Sequence, residues 1–110
     1  MSKNNNDYVK SLLEFLDSSP CNFLAVDTVK SILSANGFNE KKIDDKVTAK
    51  AGDKFFFTKN DSAIFAVQVG KKKPADTGFK IIAAHSDSPC FRIKPASEIP
   101  SDGGILRLNT

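Results

Sequence analysis

The sequence predicts an α/β fold in which a pair of helices, a β-hairpin and a further central strand pack in layers. Residues 7–16 and 24–35 carry apolar side chains at three- and four-residue spacings, which is typical of amphipathic helices. Two apolar runs at 54–58 and 62–69 are separated by turn-forming residues, and this predicts the hairpin. A third apolar run, at 79–84, predicts the central strand.

The first helix is predicted over residues 7–16, with Asn6 or Asp7 as its N-cap. It ends before Pro20, because proline disfavours a helical residue in front of it. Its broad apolar stripe is formed by Tyr8, Val9, Leu12, Leu13, Phe15 and Leu16.

The second helix is predicted over residues 24–35, with Asn22 as its cap and a short connection at 18–23 that closes a helical hairpin. Gly37 is a stop signal, because glycine accepts the left-handed conformation with which helices often end. Phe38 is expected to fold back onto the last turn. The predicted buried face comprises Ala25, Val26, Val29, Ile32 and Leu33.

The strands are predicted from their composition and from the turns between them. Three consecutive phenylalanines lie in 54–58, and the chemistry of 59–62 is that of a turn. Residues 62–69 are apolar on nearly both faces, which predicts a central strand covered on both sides. Residues 79–84 show the same pattern, and 91–94 are expected to extend that strand beyond a bend at Pro89.

The remaining segments are predicted as loops or short elements. Residues 40–50 are polar and suit a short strand followed by a loop, whereas 70–78 and 95–100 are expected to be loops. Gly103-Gly104 and the residues after it suit a turn and the start of a strand, and the sequence stops inside that pattern. We therefore expect these 110 residues to be the N-terminal piece of a longer protein.

Composition narrows the class of protein. At 110 residues, with 40% hydrophobic and 26% charged residues, the chain suits one globular domain. The net charge is +3, and the tight basic cluster at 71–73 has no interleaved aromatic residues. A solvated loop is therefore favoured over a nucleic-acid patch, and no nucleic-acid partner is predicted.

Location is inferred from the termini, the apolar runs and the cysteines. No run approaches the ~18 apolar residues that a membrane helix needs, and the polar N-terminus has no signal-peptide core. Cys21 and Cys90 lie far apart in sequence, which favours free thiols in a reducing compartment. A cytoplasmic protein without a membrane partner is predicted.

The candidate chemistry lies directly after the third apolar run. His85 is the only histidine, and Asp87 follows two residues later, so the two side chains share one side of an extended backbone. An imidazole is a good zinc ligand, and a nearby carboxylate can orient it. The alternative is a hydrogen-bonded loop histidine beside a turn aspartate before Pro89. The two residues alone leave both interpretations open.

Nucleophilic catalysis is a further possibility at the same place. Ser86, Ser88 and Cys90 all lie within five residues of His85. However, the sequence contains neither G-x-S-x-G nor a catalytic-cysteine signature. Cys90 is expected to be a small buried residue instead.

Three collinear segments carry a family resemblance. Residues 84–95, Ala-His-Ser-Asp-Ser-Pro-Cys-Phe-Arg-Ile-Lys-Pro, look like the first metal-site motif of the aspartyl aminopeptidase family of zinc metallo-aminopeptidases. Residues 15–26 resemble the N-terminal helix–turn–helix of that family, and 54–60 resemble its first hairpin. A twelve-residue motif in this context favours the metal interpretation over the loop interpretation.

The resemblance implies a fold and a site. The family has an α/β/α peptidase domain with two zinc ions, interrupted by a β-rich domain used in assembly. His85 matches the histidine that binds one zinc. Asp87 matches the catalytic aspartate that orients a metal-site group and tunes the metal-bound water. The other ligands and a glutamate general base belong to later sequence in the family.

The resemblance also implies a function. Family members are cytosolic or vacuolar homo-oligomers that remove acidic or, in some cases, neutral N-terminal residues from peptides through metal-activated water. Residues 1–110 would be the N-terminal portion of the catalytic domain and inactive alone, because one histidine cannot build a four-coordinate zinc site. We also expect uncovered apolar strands and self-association. The alternative hypothesis is a non-catalytic self-association module that retains the motif.

Overall fold

The chain contains both helices and a sheet, and the predicted α/β class is confirmed. The structure is a computed structural model that describes residues 5–100, 103 and 106–110. In chain order its elements are α1 (Asn5–Asp17), α2 (Asn22–Ala35), β1 (Asn39–Glu40), β2 (Lys54–Lys59), β3 (Ala63–Gln68), α3 (Pro74–Thr77), β4 (Glu98–Pro100) and β5 (Leu106–Leu108).

Helix α2 begins and ends by different means. Cys21 occupies the N-cap position with an extended backbone and makes no side-chain capping bond, so the predicted cap at Asn22 is wrong. At the other end Gly37 has φ +80°, and its N–H donates to the Ser34 carbonyl at 3.1 Å. The Phe38 N–H donates to the Leu33 carbonyl at 3.0 Å. This pair of bonds is a Schellman motif, which confirms the predicted stop.

The core lies between α2 and a three-stranded sheet. β2 is the middle strand, with β1 parallel to it on one side and β3 antiparallel on the other. Val26 of α2 and Phe56 of β2 are buried. Lys54, on the same face of β2 as Phe56, reaches the C-terminal end of α2, where its Nζ lies 3.5 Å from the Asn36 carbonyl oxygen. Helix α2 therefore covers this face of the sheet.

The predicted hairpin is confirmed. Lys59 pairs with Ala63 across the turn, and the Ser62 N–H donates to the Lys59 carbonyl at 3.2 Å. Asn60 and Asp61 have φ of 52° and 50°, a left-handed conformation that Asn and Asp tolerate better than most residues.

The prediction that 62–69 is a central strand covered on both sides is wrong. β3 lies at an edge, bonded only to β2 among the described strands. On the face away from α2, Phe65 stacks on Phe57 with ring centroids 5.1 Å apart, yet it stays about half exposed. Because β3 is apolar on both faces, both faces are suited to burial. Helix α2 covers only one of them.

The predicted central strand at 79–84 does not form. These residues have no regular structure, and no described strand pairs with them. Ile82 is 100% exposed, and its apolar neighbours Phe79 and Ile81 are nearly as open. The expected extension at 91–94 is likewise irregular. A strand requires a neighbouring backbone for its hydrogen bonds, and apolar side chains do not substitute for one.

Helix α1 forms as predicted but does not pack. It begins at Asn5, so Asn6 and Asp7 lie inside it and the predicted capping there is wrong. None of its residues is buried, and its apolar stripe remains more than half exposed at Tyr8, Val9, Leu12, Leu13 and Leu16. The predicted helical hairpin is therefore not closed onto α2.

Two segments predicted as loops contain short elements. α3 forms within 70–78, and β4 forms within 95–100 and pairs antiparallel with β5. Gly103 adopts φ 83°, as a turn requires, whereas Gly104 and Ile105 lie outside the described residues. The Cα radius of gyration is 19.8 Å, well above the ~13 Å typical of a compact domain of this length. Much of the apolar surface is thus uncovered.

Within the described part of the chain, no helix combines the length and apolarity needed to cross a bilayer.

Candidate metal centre

His85 and Asp87 lie on an irregular segment between α3 and β4. Because 79–84 is not a strand, they do not occupy a strand end as the sequence suggested. Their side chains are 84% and 81% exposed, and they contact each other. The expectation that they share one side of the backbone is confirmed.

The contact between the two residues involves one particular nitrogen of the imidazole. Nδ1 of His85 lies 2.8 Å from the Asp87 carbonyl oxygen and 3.2 Å from its carboxylate Oδ1. Because both oxygens are acceptors, the neutral tautomer that makes these bonds carries its proton on Nδ1 and has its lone pair on Nε2 of this exposed ring. A carboxylate that holds the far nitrogen of a ligating histidine is the usual support of a zinc ligand. His85 and Asp87 therefore fit a zinc ion at Nε2.

This pair supplies only part of a metal site. Within the described residues, no group of three or more His, Cys, Asp or Glu side chains is placed to hold a metal ion. Structural and catalytic zinc sites use three or four protein ligands. The described residues thus offer one imidazole with one nearby carboxylate, which is fewer ligands than a zinc site uses.

The segment touches the folded unit at two side chains that the sequence interpretation missed. The Ser86 hydroxyl donates to the Ser62 carbonyl in the β2–β3 turn at 2.8 Å. The Arg92 guanidinium carbon lies 5.0 Å from the centroid of the Phe23 ring at the start of α2, a cation–π contact. Neither contact has a local sequence signature, because each joins residues more than twenty positions apart.

The arrangement does not favour nucleophilic catalysis. No hydrogen bond among the described residues joins His85 to Ser86, Ser88 or Cys90, and the Ser86 hydroxyl is bonded to a backbone carbonyl. Cys90 is exposed, so the prediction of a buried residue is wrong. It lies in the irregular segment, where no packed neighbour covers it. Both cysteines are free thiols, as predicted.

Comparison with known proteins places this motif in a family. The family model described as Aminopeptidase I zinc metalloprotease (M18) matches residues 15–107, a range that includes His85 and Asp87.

Two relatives illustrate the match. The chain is 47% identical over 108 residues to a probable M18 family aminopeptidase 2 of Clostridium novyi (strain NT), covering 98% of this chain and 25% of the relative. It is 39% identical over 71 residues to a probable aspartyl aminopeptidase of Ricinus communis, covering 64% of this chain and 14% of the relative. The chain thus spans a quarter or less of these curated relatives.

Solved structures agree in fold. A cryo-EM structure of the Ape4 and Nbr1 complex matches with a TM-score of 0.79 at 36% identity, over 89% of this chain and 19% of that one. Chaetomium thermophilum mApe1 matches with a TM-score of 0.74 at 32% identity, over 93% of this chain and 23% of that one. The predicted resemblance is confirmed, and the chain belongs to the Aminopeptidase I zinc metalloprotease (M18) family.

Proposed function

We propose that this chain supplies part of the active site of a zinc-dependent aminopeptidase, with His85 as a zinc ligand and Asp87 as its catalytic support. The observation that carries the proposal is the contact of His85 Nδ1 with Asp87, which leaves Nε2 free within residues that match the family. By accepting a hydrogen bond from Nδ1–H, Asp87 orients the ring and holds it in the tautomer that presents Nε2 to a metal ion. Zinc, two ions per site by the family resemblance, would lower the pKa of a coordinated water and polarise the scissile carbonyl.

The substrate class follows from the family and from the chemistry of such a site. We propose peptides as substrates, cleaved at acidic or neutral N-terminal residues in the cytoplasm. Residues 1–110 would form the N-terminal portion of the catalytic domain and be inactive alone. This part of the proposal rests on the single histidine and on the lack of a three-ligand cluster among the described residues.

Zinc titration of the labelled chain tests the ligand assignment. With ¹⁵N in the His85 ring, we expect added Zn²⁺ to shift Nε2 selectively, with weak affinity because one ligand is present. Asp87→Asn should weaken that binding by about tenfold, since supporting carboxylates typically contribute that much. Asp76→Asn, in exposed α3 away from the ring, is the matched control and should change nothing. A ring signal that does not respond to zinc contradicts the assignment.

Activity and gene structure test the larger claim. The 110-residue chain should show no release of aspartyl, glutamyl or leucyl residues from peptides, with or without zinc. Reading the encoding gene beyond the codon for Thr110 should reveal further His, Asp and Glu codons in frame. A natural stop codon at that point would instead favour an association module that lacks peptidase activity.

A second proposal, self-association into a homo-oligomer, rests on the apolar stripe of α1. This surface is more than half exposed along the helix, and apolar patches of this kind mark contact surfaces. Leu12→Glu should shift the chain towards monomer in sedimentation, whereas Ser11→Glu on the same helix should not. A wild-type chain that sediments as a monomer at all concentrations would refute self-association.

A further inference from the structure

The segment that carries His85 and Asp87 is tethered at few points. From residue 79 to residue 96 every side chain is exposed except that of Ser86, which is half-buried. The Ser86 hydroxyl makes the one hydrogen bond by which residues 79–93 reach another part of the described chain. The other contact is Arg92 against the Phe23 ring, six residues further along.

The acceptor of this bond belongs to a well-ordered turn. The Ser86 hydroxyl donates at 2.8 Å to the carbonyl of Ser62, and the Ser62 N–H is itself bonded to Lys59 at 3.2 Å. The turn joins β2 and β3, which pair in register at six successive positions. The hydroxyl therefore connects an irregular segment to the turn of the β2–β3 hairpin.

Ser86 and the two residues beside it differ in exposure. Ser86 is half-buried where it makes this bond, whereas the side chains of His85 and Asp87 on either side of it are more than 80% exposed. The bond that turns Ser86 inward thus presents His85 and Asp87 together on the outside.

We propose that Ser86 is a positioning residue for the zinc ligand, acting through its hydroxyl on the Ser62 carbonyl. The inference rests on the proposed function, because it gives His85 the role of ligand. Ser86 contacts neither the imidazole nor the carboxylate, so it is not a catalytic residue. Its role is to restrict the segment so that the imidazole and the carboxylate keep the contact that leaves Nε2 free.

Three variants separate this role from a general structural one. Ser86→Ala removes the hydroxyl, Ser86→Thr keeps it, and Ser88→Ala removes an exposed serine two residues away. In wild type and in the last two variants, backbone order parameters at 84–88 should stay near ~0.8, whereas Ser86→Ala should lower them below ~0.6. At a pH where the ring is neutral, Ser86→Ala should also shift the His85 tautomer ratio from Nδ1–H towards Nε2–H.

A zinc titration completes the test. Ser86→Ala should raise the apparent Kd for Zn²⁺ at His85 about fivefold, which corresponds to the ~1 kcal/mol of one hydrogen bond. Ser86→Thr and Ser88→Ala should stay close to wild type. A merely structural serine would lower the unfolding temperature without changing the tautomer ratio, and that result would overturn the inference.

The two proposals fail in different ways. If Ser86→Ala matches Ser88→Ala in order parameters and tautomer ratio, the positioning role is refuted, whatever zinc does. If zinc leaves the wild-type ring unshifted, both the ligand assignment and the positioning of a ligand are refuted. In that case a loosened segment in Ser86→Ala would show only that the hydroxyl tethers the chain.

Discussion

Phe56 supports the interface between α2 and the sheet, and Phe56→Ala should cost about 3–5 kcal/mol of unfolding free energy. The side chain is 1% exposed, so the substitution removes almost all of the buried surface of a phenylalanine side chain and leaves a cavity. Val26 is the one other buried apolar residue of the described chain apart from Phe55, which lies on the opposite face of β2, so few neighbours can refill the space. Against a typical domain stability of about 5–15 kcal/mol, this loss brings the chain close to unfolding.

Phe65→Ala is the matched control on the opposite face of the same sheet. The ring is 49% exposed, so about half of the usual burial gain is lost, together with its stacking on Phe57. We expect a cost near 2 kcal/mol from these two contributions. Urea unfolding followed by circular dichroism measures both variants. Equal losses at the two positions would show that α2 does not cover Phe56, and would refute this account of the core.

Two smaller predictions concern the end of α2 and an ion pair on its surface. Gly37→Ala should lower the free energy of unfolding by about 1 kcal/mol. The cost comes from the left-handed backbone alone, since an added Cβ meets nothing within 4 Å. Gly70→Ala is the control, because that position is equally open but has no positive φ, and it should leave the free energy of unfolding unchanged in the same assay. The hydrogen bond that Lys30 donates to the Glu40 carboxylate raises the pKa of Lys30 above its ordinary 10.5. The stability from this 3.0 Å pair is therefore present below pH 10.5 and is lost as pH rises through the raised pKa. Glu40→Gln should lower the free energy of unfolding by at most ~1 kcal/mol in urea at neutral pH. Glu14→Gln, which removes the exposed 4.0 Å pair with Lys10, should not change it. A larger effect at Glu14 than at Glu40 would contradict this ranking.

Local chemistry accounts for the elements that sequence interpretation identified correctly. The stop at Gly37 and the turn at 59–62 depend on a few residues that accept a left-handed backbone. The spacing of apolar residues predicted α1 and α2 within one or two positions at most ends, because helical hydrogen bonds lie within the segment itself. These features need no distant partner.

The incorrect predictions concern elements that depend on distant partners. Residues 79–84 have the apolarity of a central strand but no strand beside them, and β3 lies at an edge for the same reason. The stripe of α1 forms without being covered. Apolar patterning shows that a surface is suited to burial, whereas burial itself requires a second surface in contact.

For the site, the spacing of two between His85 and Asp87 by itself predicted that the two side chains share one side of the chain. The family motif at residues 84–95 could also be recognised from the sequence, because a motif depends on residue order alone. Only the tertiary structure decided that Nδ1 faces Asp87 and that the Ser86 hydroxyl bonds to the β2–β3 turn. The latter contact joins residues 24 positions apart, and such a contact arises only when the chain folds back on itself.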